Sequence, residues 1–153
     1  MLGSEEEADA WLLDWLTASQ LPRFNRKGTL RVVMEVGLAA WLAGVERGLL
    51  SNARDRACRQ LDQLRERGIR ALVRGHVGYP YALDEVPDAP WILFVRGPLE
   101  VLNGPRMVSV VGTRRASSLG TSAAEGLMGG MDGLDWTLVS GLAEGIDAAA
   151  HRA

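Results

Sequence analysis

Two stretches of this chain order glycine, hydroxyl and arginine residues in a way that suits phosphate. Residues 108–120, VSVVGTRRASSLG, run from an apolar strand pattern into Gly112 and on through Thr113, Arg114 and Arg115. A helix pattern starts at Ser117 or Ser118. Gly112 permits a close backbone approach that a side chain would block. A helix start leaves N–H groups free, and hydroxyls there can cap the helix or bind an anion. The two arginines bring positive charge to the same turn. The same order also fits a plain strand-to-helix turn with a serine cap and two surface arginines. Residues 138–151, LVSGLAEGIDAAAH, repeat the arrangement: a strand, Ser140-Gly141, a loop through Gly145, then a helix.

Other chemistries are poorly served. Gly112 is not followed by a glycine two positions later, so the dinucleotide fingerprint is missing, and no Gly-Lys-Ser/Thr occurs. Ser140, Asp147 and His151 lack the Gly-x-Ser-x-Gly elbow of a hydrolase. Asp147 and His151 stand four apart on one helical face, which suits a hydrogen-bonded pair. His76 stands alone in a loop. No His, Cys and carboxylate set has metal-ligand spacing, and neither a metal nor a cofactor is expected. Cys58, the single cysteine, reads as a buried thiol on a helix.

The elements that must position these residues follow from periodicity. Trp11, Leu12, Trp15 and Leu16 form a helical stripe over Glu5–Ser19, with Pro22 beyond its end. Thr29–Leu42 reads as a second helix that Gly37 divides. Ser51 or Asn52 would cap a third, reaching Arg67, with Cys58, Leu61 and Leu64 inward. From residue 68 the character changes. Residues 69–73, 91–95, 107–111 and 136–139 read as strands, 76–90 as a loop with one helical turn, and 118–131 as a helix. Strand, glycine loop, helix and strand in sequence mark a parallel α/β sheet. If neighbouring strands carry the two glycine loops, those loops meet at one rim, where two helix N-termini would converge. Arg74 and Arg96, each following a strand, would join them if their strands are also parallel. The chain stops a few residues into its last helix, before such a sheet is covered, so it reads as the front part of a longer protein.

The bulk properties constrain the partner. An apolar share of 47% and a charged share of 24% fit a packed protein. The net charge of −2 means that any nucleic-acid binding must come from a local patch. Sixteen of the seventeen basic residues are Arg, a planar donor suited to phosphate, although genome composition produces the same bias. Glu5, Glu6 and Glu7 stand where a signal peptide would be basic, and the longest clean apolar run, 36–45, is too short for a membrane helix. A cytoplasmic protein with no membrane partner is expected.

Residues 78–97, GYPYALDEVPDAPWILFVRG, with VVGTRRASSLG and SGLAEGIDAAAH, resemble the DNA-processing protein A (DprA/Smf) family. The likeness covers about half the chain. It implies an α/β fold: a small N-terminal helical, SAM-like domain over 1–67, then a truncated, extended Rossmann-like parallel sheet over 68–153. Asn25-Arg-Lys-Gly28 would be the glycine hairpin of the first domain, with Arg23, Arg26, Lys27 and Arg31 as a basic run. The likeness further implies a protein that is not an enzyme, binds single-stranded DNA, forms a homodimer, and helps load the RecA recombinase in natural transformation and repair. It places Arg114 on DNA phosphate, with Gly112, Ser140, Gly141 and Gly145 shaping the pocket. Thr113, Arg115, Ser117 and Arg96 complete the candidate set. Glu144 is an acidic departure inside the second loop. The alternative is a Rossmann-like hydrolase of nucleoside monophosphates, whose acidic Gly-Gly-x-Gly-Thr-x-x-Glu motif does not occur in the chain.

Overall fold

The computed structural model describes residues 5–22, 24, 27–104 and 106–153. Arg23, Asn25 and Arg26, and with them the expected glycine hairpin, lie outside the described residues. Helix α1 spans Glu5–Ser19 and α2 spans Lys27–Val36, followed by α3, Leu38–Ala43. The division between the last two falls at Gly37, whose φ of 87° lies in the left-handed region that glycine enters without a steric penalty.

Helix α4, Arg47–Glu66, starts a turn earlier than expected, and neither Ser51 nor Asn52 caps it. The cap is Glu46, whose carboxylate accepts from the N–H groups of Gly48 (2.8 Å) and Leu49 (3.0 Å). Glutamate is not among the favoured N-cap residues, so the sequence pattern points past it. Ala53, Ala57 and Leu64 are buried along the inner stripe. Cys58, expected inside, is exposed, because its neighbour Ala57 holds the inward position and one residue rotates the helix face by about 100°.

Strands β1, Ile69–Val73, and β2, Ile92–Arg96, pair antiparallel, with Ile69 opposite Arg96 and Val73 opposite Ile92. Arg74 and Arg96 therefore leave opposite ends of this pair. The shared rim that parallel strands would have given them does not form. The single helical turn of the intervening loop is α5, Tyr81–Asp84. Arg74 anchors this loop. Its guanidinium donates to Asp84 Oδ1 (2.9 Å) and to the carbonyls of Asp84 (2.5 Å) and Val86 (3.1 Å), and it lies over the Trp91 ring. Trp91 in turn stacks on Trp15, with ring centroids 6.0 Å apart. His76 is not solitary: its ring meets Trp11 edge-on at 4.5 Å.

By packing, the chain forms two units, Met1–Leu99 and Glu100–Ala153. The strand pair belongs to the first, since Ile69, Ala71 and Ile92 lie against buried Leu16, Ala57 and Leu64. This division falls later than the change of sequence character at residue 68. The second unit opens with a 3-10 turn at Glu100–Asn103. Strand β3, Met107–Ser109, helix α6, Ser118–Gly129, strand β4, Thr137–Val139, and helix α7, Ile146–Arg152, follow. β3 and β4 pair in parallel, Val108 opposite Leu138. α6 and α7 bury Ala124, Met128, Ala149 and Ala150, and Arg152 pairs with Glu125 at 3.0 Å. The chain is thus α/β, with helices and small sheets that include one parallel pair. Among the described residues, no helix is long and apolar enough to cross a membrane.

Because the Arg74 side chain is only 19% exposed and holds three oxygens, Arg74→Ala is expected to destabilise the first unit by about 2 kcal/mol. Urea unfolding followed by tryptophan emission, in a Trp136→Phe background that leaves only first-unit tryptophans, checks this. An unchanged midpoint would show that the loop holds without the arginine.

Candidate nucleic-acid interface

Parallel pairing of β3 and β4 sends the loops after both strands off the same edge. Asp147, in the first turn of α7, ties them together. Its Oδ1 accepts from the Gly112 N–H at 3.0 Å and its Oδ2 from the Gly141 N–H at 3.1 Å. The residue is 4% exposed. The Gly112 N–H holds its carboxyl below the ordinary value of 3.8; burial opposes this, and the Ser140 hydroxyl and the N–H groups of Gly141 and Ala143 lower it further. Ser140 Oγ is buried without a hydrogen bond of sound geometry. Its influence is that of a nearby dipole, and the hold on the carboxylate comes from the backbone donors.

The glycines are required by close approach. A Cβ on Gly112 would stand 2.5 Å from Ile146 Cβ. One on Gly145, where φ is 90°, would stand 2.2 Å from the Thr113 carbonyl oxygen. That oxygen accepts from the Ile146 N–H at 3.2 Å, so the second loop is also fastened to the first through backbone. Leu142, by contrast, has a φ of 52° and is 69% exposed. A bulky residue in the left-handed region carries a steric cost of about 1–2 kcal/mol.

Ser117 caps α6, its Oγ accepting from the Gly120 N–H at 3.2 Å. Among the described residues, the N–H groups of Ser118 and Leu119 in the first turn meet no acceptor. The other helix start is largely occupied. In α7, Ile146 donates to Thr113 and Ala148 to the Ala143 carbonyl, and the Asp147 carboxylate lies beneath. One open helix N-terminus faces the rim where two were expected. Thr113 Oγ1 accepts from the Arg115 N–H at 3.2 Å. The guanidinium groups of Arg114 and Arg115 are exposed, and among the described residues neither makes an ion pair or hydrogen bond. Glu144 is exposed as well.

The structure thus brings Gly112, Thr113, Arg114, Arg115, Ser117, Ser140, Gly141 and Gly145 onto two fastened loops of one unit. Arg96 belongs to the other unit and is exposed at the end of β2. The expected pairing of Asp147 with His151 does not form, because both carboxylate oxygens turn toward the loops. Sequence pattern alone gives Asp147 no part in the site. The available signal was a carboxylate two residues after Gly145, at a helix start.

A parallel strand pair with a glycine loop and a helix after each strand defines an α/β protein of the Rossmann-like type. The family model for DNA recombination-mediator protein A matches residues 70–153, and the chain belongs to that family. It is 45% identical over 75 residues to the DNA processing protein DprA of Streptococcus pneumoniae, covering 49% of this chain and 26% of that protein. With the DprA of Bacillus subtilis it shares 35% identity over 95 residues, covering 62% of this chain and 32% of the relative. The X-ray structure of DprA from Streptococcus pneumoniae aligns with a TM-score of 0.57 and 26% identity, over 99% of this chain and 54% of that one. The chain therefore spans about a third or less of these two curated relatives, and about half of the solved structure.

The depressed Asp147 value sets a pH window. An unfolded Asp titrates near 3.9, so the stabilisation is fully present above about pH 5 and is lost as pH falls through the lower folded value. The stability gap between the protein and its Asp147→Asn variant, read from urea unfolding of the second unit by Trp136 emission, is expected to narrow below about pH 4. A gap constant down to about pH 2 would contradict it.

Proposed function

We propose that the two fastened loops hold the backbone of single-stranded DNA, and that the protein is a recombination mediator that assists loading of the RecA recombinase. The observation carrying this reading is the pair of exposed guanidiniums, Arg114 and Arg115, without a partner among the described residues and beside the N-terminus of α6. Arg offers two parallel donors to a phosphate, which Lys cannot. Contacts of this kind position the backbone and carry little base sequence information. Thr113, Ser117 and Ser140 line the loops. Membership of the recombination-mediator family, and relatives named for DNA processing, support the assignment. The family match begins at residue 70, which supports reading 68–153 as the first part of the Rossmann-like DNA-binding domain and 1–67 as the helical SAM-like domain, although β1 and β2 pack with the first unit.

We further infer that the protein acts by binding, not turnover, as a homodimer in the cytoplasm. Asp147, the buried carboxylate at the loops, is a poor general base, because two N–H groups hold it ionised and occupy both oxygens.

Arg114→Ala is expected to weaken oligothymidine binding about tenfold, as loss of one charge-assisted contact implies. It should also flatten the slope of log affinity against log salt by about 0.7. Arg106, exposed at the start of β3 and so at the opposite edge, is the control: Arg106→Ala should resemble the unchanged protein. Anisotropy titrations at several salt concentrations, repeated on a mixed-base oligonucleotide, check both. Parallel salt slopes for Arg114→Ala and the unchanged protein, with circular dichroism intact, would overturn the phosphate assignment.

A further inference from the structure

Three large apolar side chains stand out around the loops described above: Val111 at 78% exposed and Leu142 at 69% on them, and Leu119 at 79% in the first turn of α6. None is remote from the fastening. Val111 immediately precedes Gly112 and Leu142 immediately follows Gly141, the two residues whose N–H groups share the Asp147 carboxylate. Leu119 neighbours Gly120, where an added Cβ would stand 3.5 Å from Ile146 Cδ1. Leu142 is also held at a φ of 52°, a conformation that glycine adopts freely and a bulky side chain does not. A strained side chain this exposed recovers nothing from burial within the chain.

Exposed apolar residues alternating along the chain with guanidiniums that have no partner among the described residues suit a ligand whose charge and apolar faces alternate over a few ångströms. An unpaired nucleotide is such a ligand: phosphate on one side, an open base face on the other. A duplex offers only the phosphates, since its base faces are stacked inside. We propose that Leu142, with Leu119 and Val111, forms an apolar rim that packs against unpaired bases while Arg114 holds the adjoining phosphate. This rests on the phosphate reading of the loops and adds to it a physical basis for preferring single strands.

The test compares a fluorescein-labelled oligothymidine with an abasic oligomer of the same length, which keeps every phosphate and lacks every base. The unchanged protein is expected to bind oligothymidine about tenfold more tightly, the effect of packing one or more bases. Leu142→Asn tolerates the left-handed conformation and removes the apolar surface. It should bring the two affinities to within about threefold of each other by weakening the oligothymidine alone. Leu119→Ala, at a helical position without strain, should narrow the difference in the same direction. Equal affinities of the unchanged protein for both oligomers would overturn the rim, as would Leu142→Asn weakening both ligands alike. A fall in sedimentation mass for Leu142→Asn would also overturn it, assigning the patch to a second copy of the chain. Arg114→Ala separates the two proposals: a loss on both oligomers sustains the phosphate contact even where the rim fails.

Discussion

The second unit depends on one carboxylate accepting from two loops at once. Asp147 takes the N–H of Gly112 on one oxygen and that of Gly141 on the other. Each bond comes from the residue that ends a strand pattern, so the carboxylate fixes where both loops leave the sheet. The glycines follow from this closeness. Ile146, adjacent to the carboxylate, fills the space a side chain at Gly112 would need, and the Thr113 carbonyl fills that at Gly145. An ionised carboxylate beneath a proposed phosphate site looks self-defeating until its partners are considered. Its charge is met by backbone donors on the inner side, while Arg114 and Arg115 stand exposed on the outer.

Arginine dominates the basic residues, and the structure separates its uses. Arg54 pairs with Asp14, Arg65 with Asp9, Arg74 with Asp84 and Arg152 with Glu125. Arg56 and Arg70 donate to the carbonyls of Gln20 and Gly97. These arginines secure helices and strands, and exposed pairs among them contribute little each. Among the described residues, Arg114 and Arg115 have no such partner, and what sets them apart from other exposed arginines such as Arg59 and Arg106 is their place on the glycine loop. Composition cannot make this distinction, because it rests on which acidic or carbonyl oxygen lies within reach.

Much of the fold was legible from local pattern. The stripe of Trp11, Leu12, Trp15 and Leu16 gave α1 its bounds, and Gly37 separated α2 from α3 as its conformational freedom implies. The glycine after each strand run located both loops. What pattern could not supply was long-range. Strand direction for β1 and β2 is set by pairing, and their antiparallel register separates Arg74 from Arg96. The inward face of α4 was misjudged at Cys58 because Ala53 and Ala57, small and unassertive in a periodicity count, carry the buried stripe. Asp147 and His151 have helical spacing for a pair, yet better donors from distant loops claim the carboxylate. Glu46 capped a helix from a position where its residue type is seldom chosen.

Amide hydrogen exchange at Gly112 and Gly141, compared between the protein and its Asp147→Asn variant, tests the carboxylate latch most directly. An asparagine keeps the shape but presents an N–H₂ group to one of the two donors, so only one bond can persist. The expected result is slow exchange at both glycines in the unchanged protein, and fast exchange at one or both in the variant. Amides inside α6, such as those of Ala124 and Met128, should stay protected throughout. Equal protection of Gly112 and Gly141 in the two proteins would contradict the claim that Asp147 holds the loops together.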